Sequence, residues 1–186
     1  MLFTATFSEF YEQFKTSLSD GTFAKLTFAK TITPEVNFTC GDITDPKLFD
    51  QPFDVITLIE TLEHIPPEFI PQFVKGLHQH LKNDGYLLLT VPSINHKPVE
   101  KHYQHFDHTL IGKNLKPYFE ITEHFYINKN CFWNKWLKKM IKNDFFVLNH
   151  QTTLNWLYRL YSKNWLSACP RTGKRVCVFA KKQALS

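Results

Sequence analysis

Between Phe53 and Pro92 the chain alternates two hydrophobic periods, and that alternation constrains its fold more than any other feature. The run Phe53-Asp54-Val55-Ile56-Thr57-Leu58-Ile59 is apolar enough for a strand buried on both faces. After Pro66-Pro67, Phe69, Phe73, Leu77 and Leu81 recur every four residues, which predicts a helix. Asn83-Asp84-Gly85 predicts a turn, and Tyr86 to Val91 a further buried strand ended by Pro92. Strand, helix and strand joined by short turns predict a parallel α/β sheet wound right-handed. Ligands of such sheets gather outside the carboxyl ends of the strands. Here those ends are Ile59 to His64, Val91 to His96, and Cys40 to Thr44 after a short strand predicted over Val36 to Cys40.

The flanking sequence extends this scheme. Ser8 can cap a helix through Phe10, Tyr11 and Phe14, and Asp20 a second over Thr22 to Lys30, with Gly21 in the break between them. A histidine-rich loop runs from Lys101 to His108, followed by a helix over Thr109 to Leu115 and a strand over Phe119 to Tyr126. Residues 128–166, rich in Trp, Phe, Tyr and Lys, predict a helical insertion before a last strand at Arg175 to Ala180. No repeat or low-complexity linker divides residues 1–186, so one domain is expected.

Composition removes several classes. With 43% hydrophobic and 21% charged residues the chain is ordinary globular material, and no apolar run reaches the ~18 residues of a spanning helix. No signal-peptide pattern opens the sequence. Cys40, Cys131, Cys169 and Cys177 lack the close pairing of a disulfide framework or zinc knuckle, and a cytoplasmic location is expected. Glycine occurs only 6 times, and no two glycines lie closer than nine residues. A G-x-G phosphate or cofactor cradle is therefore impossible in this chain.

Four stretches in order resemble the class I S-adenosylmethionine-dependent methyltransferases. They are Val36 to Ile43, Phe53 to His64 ending Glu60-Thr61-Leu62-Glu63-His64, Leu81 to Pro92, and His102-Tyr103-Gln104-His105-Phe106. The match spans about Ser17 to Tyr126, and a branch with this histidine loop and an aromatic insertion is most similar. The resemblance implies a Rossmann-like, mostly parallel sheet with an antiparallel last strand, and S-adenosylmethionine as cofactor. It implies an acceptor that is a small molecule, a glycan or a lipid-linked intermediate. By the same resemblance Asp42 would accept from the adenine amino group with Ile43 beside the ring, and Ile59 and Glu60 would line the methionine part. His64 would face the transferred methyl group, with His102 and His105 on a loop closing over the acceptor.

The chain departs from that family at its front. The first strand and glycine-rich loop have no counterpart, so the sheet is expected to be truncated in its N-terminal half. Ser17, or Asp20 in a slipped register, stands where a carboxylate would bind the ribose hydroxyls. In the family's sheet, strands one and two lie between three and four. This chain must refill that gap, with only Leu2 to Phe7 to supply a strand, pair three and four directly, or borrow from a second copy or a completing partner.

Methyl transfer from a sulfonium needs in-line placement and sometimes a base. A histidine titrating near ~6.5 suits that role, so His64, His102 and His105 are the candidate catalytic residues, the alternative being ordinary turn and loop histidines. Glu60, Glu63, His64, His102 and His105 also resemble the metal site of 3′-terminal RNA ribose methyltransferases, and mixed oxygen and nitrogen ligands would suit Mn²⁺. The same string occurs in metal-free methyltransferases, and no metal is assigned from sequence. A non-catalytic remnant that binds a substrate or partner but not the cofactor is a second reading of the function, and metal-assisted RNA ribose 2′-O-methylation a third. Trp133, Trp136, Leu137, Met140 and Ile141 share one helical face and Lys135, Lys138, Lys139 and Lys142 the other. Residues 132–142 therefore suggest either a lid packed on the core or a helix lying on an anionic membrane. A net charge of +5 is modest, and nucleic acid is not an expected partner.

Overall fold

The computed structural model describes residues 2–5, 31, 37–39, 41–97, 100, 102–141 and 150–184. The capped helices expected over residues 8–30, with Ser17 and Asp20, lie outside them. Six strands form one sheet: β1 (Leu2–Ala5), β2 (Phe53–Ile59), β3 (Leu81–Pro92), β4 (Phe119–Lys129), β5 (Ser167–Ala168) and β6 (Gly173–Lys182), in the order β1-β2-β3-β6-β4-β5. Pairs β1/β2 and β2/β3 are parallel; β6 runs antiparallel to both β3 and β4. The helices are α1 (Ile70–Gln79), α2 (His108–Leu115), α3 (Phe132–Ile141) and α4 (Gln151–Tyr161). The Rossmann-like α/β expectation holds, with an antiparallel last strand.

The gap at the front of the sheet is refilled from within. Leu2 pairs with Val55 and Ala5 with Leu58, so the chain's own beginning takes the place beside β2. Residues 37–39, in contrast, form no strand. A short apolar run becomes a strand only against an edge that completes its hydrogen bonds, and 37–39 pair with no strand among the described residues. The strand expected before Gly41 and Asp42 is therefore absent over these three residues, and Asp42 lies in a loop that leads into the turn at residues 43–44.

The core follows from the period-2 and period-3.6 patterns. Ile56, Leu58, Leu87, Leu89 and Val91 from the central strands pack with Phe73, Val74 and Leu77 of α1 and Ile111 and Leu115 of α2, all buried. Asp107 caps α2, its Oδ1 accepting from the Leu110 amide at 2.7 Å. The turn predicted at Asn83–Gly85 lies inside β3 instead. Phe53 pairs with Leu81 and Val55 already with Tyr86, so four residues bulge against Asp54 alone. Two ion pairs brace this bulge, Lys82–Asp54 at 2.7 Å and Lys181–Asp84 at 2.9 Å.

Within residues 128–166 the described residues carry helices α3 and α4, the first beginning at Phe132 because β4 continues to Lys129. Its facing also differs from the reading of the sequence. Asn134 and Leu137 turn inward, whereas Phe132, Trp133 and Trp136 are 71%, 59% and 49% exposed. The cause is polar. Asn128 leaves β4 with a positive φ of 65°, and Asn134 Nδ2 donates to Asn128 Oδ1 at 3.1 Å and to Lys129 O at 2.8 Å. Those bonds fix the helix by its asparagine side and leave the tryptophans outside.

Candidate functional site

The carboxyl ends of β2 and β3 carry most of the residues singled out in the sequence. After Ile59 the backbone turns sharply at Glu60, whose φ is 49° although it has a side chain. Such strain persists only where the surroundings over-determine it. The Glu60 amide donates to Thr90 O at 2.9 Å, and its carboxylate meets Arg175 Nε at 3.0 Å and Thr90 Oγ1 at 3.4 Å. Arg175 lies on β6, far away in sequence, and nothing in the sequence signalled this pairing.

A single 3₁₀ turn, Leu62–His64, then buries Glu63 and leaves His64 half-buried. The histidine loop is fastened over it by backbone bonds. Tyr103 N donates to Glu63 O at 2.9 Å, Phe106 N to Pro92 O at 3.0 Å, and Ile94 N to Phe106 O at 3.1 Å. Phe106, fully buried, anchors the loop in the core. His102 and His105 thereby come within reach of His64. The rings of His64 and His102 are 4.9 Å apart edge to face, His102 Nδ1 and His105 Nε2 are hydrogen-bonded at 3.0 Å, and His96 lies 5.8 Å from His105. The three candidate bases form one cluster.

The electrostatics of this cluster are set by burial. Loss of water pushes His102 and His105 below the ordinary imidazole value. Both are therefore neutral at pH 7 and able to accept a proton. Glu63 is 1% exposed, neither carboxylate oxygen has a hydrogen-bond partner among the described residues, and burial pushes it up to about 7.

The cofactor candidates are spread along the same edge. Asp42 is exposed, and its Oδ1 accepts from both the amide and the hydroxyl of Thr44 at 2.9 Å. Ile43 is buried in the core, with its carbonyl bonded to His80 Nε2 at 3.1 Å, so it supports the loop from behind. Ile59 is 39% exposed at the open end of β2. An exposed carboxylate suits an adenine amino group, and an open aliphatic face suits a thioether chain. The Glu60 carboxylate, already held by Arg175, is less suited to a second cation. The exposed Asp42 and Ile59 are thus chemically compatible with S-adenosylmethionine; Ser17 and Asp20, the candidates for the ribose, lie outside the described residues.

Of the five residues resembling a metal set, three come together. One ligand atom each from Glu63, His64 and His102 lie within 4.8 Å of one another, while Glu60 turns to Arg175. A separate polar cleft, lined by His78, Asp84, Glu120 and Lys181, opens at the opposite end of the strands.

Comparison with known proteins agrees with this architecture. The profile of a family described as a methyltransferase domain matches residues 4–161. No curated protein matches the chain. Among solved structures, an S-adenosylmethionine-dependent methyltransferase from Archaeoglobus fulgidus superposes with a TM-score of 0.53 at 14% identity, over 87% of this chain and 81% of that one. The PH0226 protein of Pyrococcus horikoshii gives 0.53 at 13% identity, over 90% and 69%. TehB from Haemophilus influenzae gives 0.50 at 15% identity over 89% of this chain, which spans only 48% of TehB.

Proposed function

Because the chain belongs to the methyltransferase-domain family, we propose that it transfers a methyl group from S-adenosylmethionine to a small-molecule, glycan or lipid-linked acceptor. The observation that supports this reading is the gathering of His64, His102 and His105 at the carboxyl ends of β2 and β3, where sheets of this kind bind their ligands. The cofactor would supply the electrophilic methyl of its sulfonium. Asp42 would receive the adenine amino group, and Ile59 and the turned backbone of Glu60 would border the methionine part. A neutral histidine of the cluster would take the acceptor's proton as the new bond forms.

The exposed aromatics of α3 support a place for such an acceptor. Phe132, Trp133 and Trp136 form a continuous edge-to-face group beside exposed Lys135 and Lys139. That combination suits the headgroup region of an anionic membrane, where a lipid-linked acceptor would be presented.

Calorimetric titration with S-adenosylmethionine and S-adenosylhomocysteine tests the reading. Micromolar binding of both, weakened about tenfold or more by Asp42→Ala, is expected. No binding at millimolar cofactor would overturn it and favour the non-catalytic remnant.

A further inference from the structure

We propose that Glu63, His64 and His102 form a site for one divalent transition-metal ion of the zinc class. The first support is the state of Glu63. A carboxylate with 1% of its surface exposed, and with both oxygens lacking a hydrogen-bond partner among the described residues, is costly to bury unless a proton or a cation compensates it. No lysine or arginine is ion-paired with it among the described residues. The carboxylate instead faces imidazoles.

The second support is distance. His64 Nε2 lies 4.0 Å from Glu63 Oε1, beyond a hydrogen bond. Ligands held ~2.0–2.2 Å from a tetrahedral ion stand roughly 3.4 Å from one another. The gap is too wide for direct contact, and a closure of about half an ångström brings it to the spacing an ion imposes. The ligand atoms of all three residues already lie within 4.8 Å of each other.

The third support is what surrounds the ligands. His102 Nδ1 is engaged by His105 Nε2 at 3.0 Å, an outer-shell bond of the kind that orients a metal-binding imidazole and leaves its Nε2 as the ligand atom. The Tyr103 amide bonded to Glu63 O fixes the histidine loop against the turn that carries Glu63 and His64. One carboxylate and two imidazoles are a borderline donor set, which selects Zn²⁺, Co²⁺ or Mn²⁺ over Mg²⁺ and Ca²⁺. Glu60, included in the sequence pattern, is not part of the set because Arg175 holds it.

Three protein ligands leave a coordination position for water or for an acceptor oxygen. That use of the site rests on the methyl-transfer reading above; metal binding does not. The experiment is therefore done without cofactor. The full chain, stripped with chelator, is titrated calorimetrically with Zn²⁺ at pH 7.5, and Co²⁺ binding is followed by its visible absorption bands. One ion per chain, micromolar or tighter, is expected, with Mg²⁺ binding at least 100-fold weaker. Glu63→Gln and His102→Asn should each weaken Zn²⁺ by 100-fold or more, and His105→Asn by about 10- to 100-fold. Circular dichroism of each variant establishes that it is folded. If Glu63→Gln fails to fold, His102→Asn on the surface loop decides the matter. Absence of saturable Zn²⁺ binding, or binding unchanged in the folded variants, overturns the proposal. A chain that binds Zn²⁺ but no S-adenosylmethionine retains the site and loses the methyl-transfer reading.

Discussion

Gly76 joins the helix behind the sheet to the loop that carries Asp42, and replacing it with alanine tests that joint. A Cβ on Gly76 would lie 2.5 Å from Ile43 O and 3.2 Å from Thr44 Cα. An ordinary carbon-to-oxygen approach is about 3.3 Å, so the Ile43 carbonyl would have to retreat by roughly 0.8 Å. That movement stretches the 3.1 Å bond from His80 Nε2 to Ile43 O, worth about 1 kcal/mol, and adds overpacking of about 1–3 kcal/mol. Against it stands the helix preference of alanine, about 0.5–1 kcal/mol. The net loss is about 1–3 kcal/mol, or roughly 3–10 °C in Tm for 186 residues. Gly112, in the middle of α2, supplies the control. Its added Cβ would meet only Ile121 Cδ1, at 3.9 Å, so Gly112→Ala should gain about 0.5–1 kcal/mol. Thermal unfolding by circular dichroism measures both. Gly76→Ala should also weaken S-adenosylhomocysteine, because Asp42 follows the displaced loop. Two variants that raise Tm alike would refute the contact between α1 and the Asp42 loop.

Phe106→Ala should cost about 3–5 kcal/mol in urea unfolding, since Phe106 is fully buried, and should loosen His102 and His105 together. His78 Nε2 donates to Gln183 O at 2.8 Å, and burial holds its pKa below the ordinary imidazole value. The unfolded chain takes up that proton first, so stability should fall as pH drops below ~6.5, and His78→Gln should flatten the slope. Among the described cysteines, exposed Cys169, whose thiol is lowered by its bond to Thr172, should react first with iodoacetamide. Buried Cys177, pushed up to about 11, should react only on unfolding. Vesicles rich in anionic lipid should shift Trp fluorescence to the blue, an effect that Trp133→Ala with Trp136→Ala reduces; an unchanged spectrum removes the membrane contact.

Local periodicity made β2, α1 and α2 readable to within a residue or two, because each buries a face whose spacing is written in its own sequence. Interactions between distant segments were not readable. Asn83–Gly85 has the composition of a turn, yet the pairing of β3 with β2 and β6 absorbs it as a bulge. The tryptophan face of α3 reads in sequence either as a lid on the core or as a membrane face, and it is a pair of asparagines that decides which side is inside. Among the site residues, His64, His102 and His105 were legible through resemblance. Glu63 became informative only once its burial was known, and Arg175 only once β6 was placed beside β3.

The position of β6 has a consequence for how the chain is made. Residues 173–182 follow every other described strand in sequence, yet they lie between β3 and β4. During synthesis from the amino end, β1–β2–β3 and β4 emerge as separate pieces, each with a bare hydrogen-bonding edge awaiting the same late segment. Such edges invite pairing with other chains. The two half-sheets can therefore join only once residues 173–182 are available, and β6 acts as the late closing piece between them.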